Sequence, residues 1–232
     1  MDPLPARLVD VRDRIARAAA RVGRDPSHIR LVAVSKTFDA EYVRAAAQAG
    51  QTDFGENKVQ EAQQKRAQTS DLPITWHLIG HLQSNKARKA AAEFDVIHSI
   101  DDPSLVRKIE DAAAEAGRKL ELLVQVDLAG EPTKHGAREE ALPAIFDAAQ
   151  GCVAVRLSGL MMLPPAAADP ETARRWFREL LDVRDRLLAR GVDGAMLAEL
   201  SMGMSHDYEI AIEEGATLVR VGTAIFGERP PK

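Results

Sequence analysis

The sequence predicts an α/β chain that closes into an eight-stranded parallel barrel. Two observations predict it. Eight short apolar segments alternate with Ala-rich, charge-laced stretches whose apolar residues recur at i, i+3 and i+4. The chain has 232 residues, close to the size that eight βα units fill in a (β/α)8 TIM barrel. An open doubly wound sheet is the competing arrangement of the same units.

The elements follow in order. Residues 4–22 form an amphipathic helix with Leu8, Val11, Ile15, Ala18, Ala19 and Val22 on one face, placed outside the barrel or across its base. The strands are "LVAVS" (31–35), "TDFG" (52–55), "TWHLIG" (75–80), "DVIHS" (95–99), "ELLVQVD" (121–127), "VRLSGLM" (155–161), "AELSM" (198–202) and "TLVRVG" (217–222). Helical patterns between them include "AEYVRAAAQAG", "DPSLVRKIEDAAAEAG", "ETARRWFRELLDVRDRLLARG" and "DYEIAIEEGA". Asp102-Pro103 reads as an N-cap followed by proline at the first helical position, and Ser84 reads as another N-cap. Gly50, Gly117, Gly191 and Gly215 close helices as left-handed caps. Only ten residues follow Gly222, so the expectation is one domain over 1–232, with the barrel at about 30–228.

Composition excludes several classes. Thirty-one basic and 35 acidic residues give a net charge of −4, which is no footprint for nucleic acid. The lone Cys152 can form no intrachain disulfide, which points to a reducing compartment, and it reads as a buried spacer. The N-terminus lacks an apolar signal segment, and no apolar run approaches the ~20 residues that span a bilayer. A cytoplasmic protein is expected.

In such a barrel, chemistry sits at the C-terminal ends of the strands. There the first strand runs into Lys36, in phase with Val32 and Val34, so an inward strand face carries an amine. Desolvation lowers a lysine pKa and frees the amine for Schiff-base chemistry. A rim lysine paired to an acid is the plainer alternative. Gly222-Thr223 after the last strand, with Ser201, Gly203 and Ser205 on its neighbour, offers backbone amides to a phosphate. Arg220, in phase with Leu218 and Gly222, needs an anionic or accepting partner if it points inward. Lys86, Arg88 and Lys89 sit against the helix dipole in "SNKARKAAAEF", either as a positive rim or as a solvated face. His77 and His81 straddle a strand end and a turn, and no metal site is expected from them. An amine, an anion cradle and an arginine are together what pyridoxal 5′-phosphate (PLP) needs.

The stretches "LVAVSKT", "DFGENKVQEA", "WHLIGHLQSNKA", "IHSIDDPSL", "LVQVDLAGEPTKHG", "LSGLMMLPP" and "LSMGMSHDYEIAIEEGATLVRVGTAIFG" span residues 30–228. In them the chain resembles the pyridoxal phosphate homeostasis protein family (YggS/PROSC-like PLP-binding proteins). The resemblance implies a fold-type III PLP barrel similar to the alanine racemase N-terminal domain. It implies that Lys36 holds PLP as a Schiff base, that Ser201, Gly222 and Thr223 meet the phosphate, that Arg220 lies near the pyridine nitrogen, and that Asn57 and His77 line the pocket. The resemblance implies that the chain buffers or carries PLP in vitamin B6 and amino-acid/keto-acid homeostasis, with PLP-accepting apo-enzymes as its partners. This chain departs from the pattern at Lys58, where an aromatic is usual, at Asp127, where asparagine is usual, and at His135, where serine is common.

Carrier and enzyme readings divide on proton chemistry. A PLP-dependent racemase or lyase needs acid/base groups about the cofactor, and Tyr42 and Tyr208 both fall in predicted helices. An arginine at the pyridine nitrogen discourages its protonation and weakens the electron sink. The sequence therefore favours a PLP holder without established catalysis, expected to be a monomer. The alternatives are a PLP-dependent amino-acid racemase or lyase, and a PLP-free Schiff-base aldolase.

Overall fold

Strand register decides between the two arrangements. The computed structural model describes residues 3–130 and 135–228. Its strands are β1 (Arg30–Val34), β2 (Asp53–Glu56), β3 (Thr75–Leu78), β4 (Val96–Ile100), β5 (Leu120–Gln125), β6 (Val155–Met161), β7 (Glu199–Ser201) and β8 (Leu218–Val221). All neighbours pair in parallel, and β8 returns to β1 with Val32 opposite Arg220, so the barrel is closed. Residues 131–134 of "LVQVDLAGEPTKHG" and the Pro230-Pro231 pair lie outside the described residues.

The helices are α1 (Leu4–Arg21), α2 (Ala40–Gln48), α3 (Val59–Gln68), α4 (Ala87–Glu93), α5 (Pro103–Glu115), α6 (Leu142–Ala149), α7 (Arg174–Ala189), α8 (Tyr208–Glu213) and α9 (Thr223–Phe226). Asp102 caps α5 by accepting the Ser104 N–H at 2.7 Å. The four expected glycine caps all have positive φ, from +63° at Gly117 to +101° at Gly215. Ser84 is not a cap: it sits inside a 3-10 turn whose preceding residue is Gln83. Short turns tolerate serine without using its hydroxyl.

Helix α1 packs outside the barrel, against α2, α8 and α9, across the seam where β1 meets β8. Its buried face is Leu4, Leu8, Val11, Ile15, Ala18 and Ala19. Val22 falls just past the helix and is exposed, because the chain turns away there. Arg12 donates to the carbonyls just past the end of α2, at Ala49 (3.1 Å) and Gly50 (2.7 Å).

The apolar core lies mainly between barrel and helices. Inside the barrel the apolar cluster is small: Val32, Val96, Leu123, Met161 and Leu218. Barrels of this kind usually fill their interior with branched apolar residues. Here much of that volume is polar, and this positions the site. Among the described residues, no helix is long and apolar enough to cross a membrane.

Candidate functional site

Lys36 lies two residues beyond β1, in phase with inward-facing Val32, and is half-buried. Its backbone is tightly held. Ser35 on one side accepts at its carbonyl from Lys65 Nζ (2.7 Å) and donates its hydroxyl to Glu56 Oε1 (2.6 Å). Thr37 on the other has φ of +70°, a conformation that strains a β-branched residue, and its N–H donates to Glu61 (2.7 Å). The next residue, Phe38, packs against Phe226 of α9 with the rings tilted and 5.3 Å between centroids. The turn carrying Lys36 is therefore packed directly against the loop and helix that follow β8.

That loop holds the amide cradle. The N–H groups of Gly222 (3.1 Å) and Ala224 (3.4 Å) converge on one oxygen, Ser205 Oγ. A Cβ at Gly222 would meet the Val34 carbonyl at 3.3 Å, so glycine lets β8 close on the lysine strand. Gly203 is more demanding. With φ of +90°, a Cβ there would lie 2.6 Å from Ala211 Cβ. Thr223 is exposed at the first position of α9.

Arg220 is 3% exposed and points inward. It donates from Nη1 to Ser201 Oγ (2.5 Å) and from Nη2 to the Met162 carbonyl (2.8 Å). Burial lowers its pKa to about 10, opposed by Asp207, so it stays charged at neutral pH. Ser201 is fully buried and passes the contact on to His98 Nδ1 (2.9 Å). His98 Nε2 meets His77 Nδ1 (2.9 Å), and His77 Nε2 meets Asp53 Oδ1 (3.0 Å). A continuous polar chain thus crosses the barrel from β8 through β7, β4 and β3 to β2. Burial holds His98 well below its ordinary range, with His77 and Arg220 adding to it, so it is neutral and donates from one ring nitrogen only. The contacts close without a donor clash when Arg220 gives to Ser201, Ser201 to His98, His98 to His77 and His77 to Asp53.

Two residues named from the sequence sit differently from the simplest picture. His77 is an interior link between Asp53 and His98, and Ser201 is spent on Arg220 and His98, while the hydroxyl at the cradle is Ser205. Asn57 follows β2 at the same end of the barrel. Its carbonyl would be 2.3 Å from a Cβ at Gly80, which is why glycine follows "WHLI". Sequence reasoning gave no role to His98 or Asp53, although both share the inward phase of their strands. It also missed the buried pair Lys65–Glu56 (2.6 Å), which braces Ser35. Burial raises the Glu56 pKa, and Lys65 beside it opposes the rise.

Other expectations resolve simply. Asp127 accepts the Gly130 N–H at its carboxylate (2.9 Å), which closes its own loop. Lys58 is exposed ahead of α3. Arg88 pairs with Glu115 of α5, and Lys86 and Lys89 are exposed, so this stretch is a solvated face. Cys152 is only half-buried, against the outer core. Tyr42 is 41% exposed on α2, and Tyr208 is buried under Arg14 on α8 with its pKa raised by burial to about 12. Both tyrosines belong to the helical layer.

Comparison with known proteins fits this geometry. Residues 7–230 match the family described as alanine racemase, N-terminal domain. A pyridoxal phosphate homeostasis protein of Pseudomonas aeruginosa is 42% identical, over 99% of this chain and 97% of its own length. The chain belongs to the pyridoxal phosphate homeostasis protein family. Within that family, PipY of Synechococcus elongatus, solved with PLP bound, superimposes with a TM-score of 0.81 at 40% identity, covering 92% of this chain and 100% of PipY. Outside it, an alanine racemase of Clostridium difficile shares the fold alone: TM-score 0.74 at 17% identity, over 100% of this chain and 58% of the racemase.

Proposed function

We propose that this chain binds PLP at the C-terminal mouth of its barrel and buffers or carries it. One observation bears most of the weight. The Lys36 turn packs against α9 through Phe38 and Phe226, beside two converging amides and one strand from a buried arginine. The donor set suits the cofactor: an amine for an aldehyde, amides for a phosphate, and a fixed cation for the ring nitrogen. When bound, PLP supplies an aldehyde that condenses with a primary amine.

Each residue then has a task. Lys36 offers the amine, aimed by the Thr37 turn. Gly222, Ala224 and Ser205 hold the phosphate, with Thr223 at the rim. Arg220, immobilised by Ser201 and the Met162 carbonyl, presents positive charge to the ring nitrogen and keeps protons off it. Asn57 flanks the pocket. His77 and Ser201 act from behind Arg220. Holding suits this site better than turnover, since neither tyrosine reaches the barrel interior and every donor in the polar chain can point away from Arg220. In this reading the chain is a single-domain cytoplasmic monomer that hands PLP to apo-enzymes.

The purified protein should show the visible absorbance of lysine-bound PLP, and Lys36→Ala should abolish it with the fold intact by circular dichroism. A wild type that stays colourless after PLP addition sinks the proposal. Solvent deuterium exchange at the α-carbon of added amino acids, faster than with free PLP, would move the reading to a racemase or lyase.

A further inference from the structure

We infer that His81, Asp101 and His135 form a site for a first-row divalent cation of the zinc class. These residues come from three successive strand ends. His81 follows β3, Asp101 directly follows β4, and His135 lies in the loop after β5. Neighbouring strands of a closed parallel barrel bring such loops together at one rim, the same end that carries Lys36. In the ring of eight strands, β4 lies opposite β8, so this trio faces the amide cradle across the mouth.

The geometry suits a shared ion. One ligand atom from each residue lies within 4.8 Å of the other two. His81 Nδ1 is 3.7 Å from Asp101 Oδ2, and the His81 and His135 rings stack at 3.5 Å with their planes 9° apart. Zinc-class bonds of about 2.0–2.2 Å from one centre place ligand atoms roughly 3–4 Å apart. Stacked rings aim their in-plane lone pairs the same way, so ligation of one ion requires an exposed imidazole to rotate out of the stack. Asp101 is the half-buried, fixed member. His135 is anchored through its backbone: Gln125 Nε2 donates to its carbonyl (2.5 Å). The following Gly136 has φ of +142°, where a Cβ would lie 2.9 Å from the Asp127 nitrogen.

Two imidazoles and one carboxylate select zinc, cobalt or nickel over magnesium or calcium, which prefer oxygen alone. Three protein ligands leave a position for water or for an anionic oxygen entering the mouth. An ion pair between His81 and Asp101 explains two of the residues but gives no reason for the second imidazole. Among the described residues, no other trio of His, Cys, Asp or Glu draws its ligand atoms this close. The site does not depend on PLP.

The test uses the full chain, stripped with chelator and titrated with Zn2+ by calorimetry, then with Co2+ by visible spectroscopy. One equivalent should bind. His81→Ala and His135→Ala should each weaken binding by roughly tenfold or more, while His28→Ala, remote from the mouth, should not. Both rings are exposed, so neither variant threatens folding, and circular dichroism checks this. The Co2+ spectrum should lack the sulfur charge-transfer band that Cys152 would give. No binding, unchanged affinity in both mouth variants, or a sulfur band overturns the assignment.

Discussion

The two ends of the barrel both carry charge, and they use it differently. At the N-terminal end, Arg30 of β1 bridges Glu199 of β7 (3.2 Å) and Glu121 of β5 (3.4 Å), and Arg156 adds a second contact to Glu121 (3.6 Å). These charges answer one another and tie strands together. At the C-terminal end, the Lys36 turn, two amides that meet on Ser205 and a buried arginine come from β1 and β8 and the segments that follow them, held in place by groups behind them. Paired charge at the base makes structure; supported charge at the mouth makes a site. The polar chain from Asp53, at the start of β2, to Arg220, near the end of β8, runs between the two.

This contrast can be tested by asking which end governs stability and which governs binding. The largest effect should come from the brace behind Lys36. Lys65→Met leaves Glu56 buried without its cation, which should cost about 3–5 kcal/mol in denaturant unfolding and weaken PLP retention as well. At the base, Arg30→Met should cost roughly 1 kcal/mol, since Glu121 keeps Ser158 and Glu199 keeps Thr217 as donors, and should leave the PLP absorbance unchanged. A loss of absorbance there would break the separation of the two ends.

The polar chain makes a pH prediction. The His98 pKa is lowered in the folded state, so below about 6.5 the unfolded chain binds more protons. Stability should be fully present above that pH and fall as pH drops through the window toward the folded value. His98→Gln should flatten this acid limb of a stability-versus-pH curve. The smallest effect should come from Arg156→Ala, whose exposed pairing is worth at most about 0.5 kcal/mol by urea titration.

Much of the fold was legible in the sequence, because eight apolar segments and glycine caps are local signals. Arg220 was legible as an inward residue through strand phase alone. Ser84 and Val22 misled, because a residue type that favours a cap or an apolar face does not fix where a turn ends. His98 and Asp53 were passed over for a different reason. Each looks ordinary beside its sequence neighbours, and only the pairing of β2 and β4 on either side of β3 brings both onto His77. Lys65 reads as a surface charge on a polar helix until the packing of α3 on β2 buries it beside Glu56. Ser205 was named beside Ser201, but only the loop's path shows which hydroxyl meets the amides.

The chain from Asp53 to Arg220 also bears on how the molecule assembles. Its members come from β2, β3, β4, β7 and β8, and the Lys36 turn meets α9 only after the last strand has docked beside the first. No partial barrel contains the whole of this polar chain, because the His98–Ser201 link joins β4 to β7, and contacts between distant parts of a sequence form late. The pocket is thus the final product of folding, so a chain still on the ribosome or held by a chaperone has no seat for the cofactor. Occupancy would then report that the ring has closed.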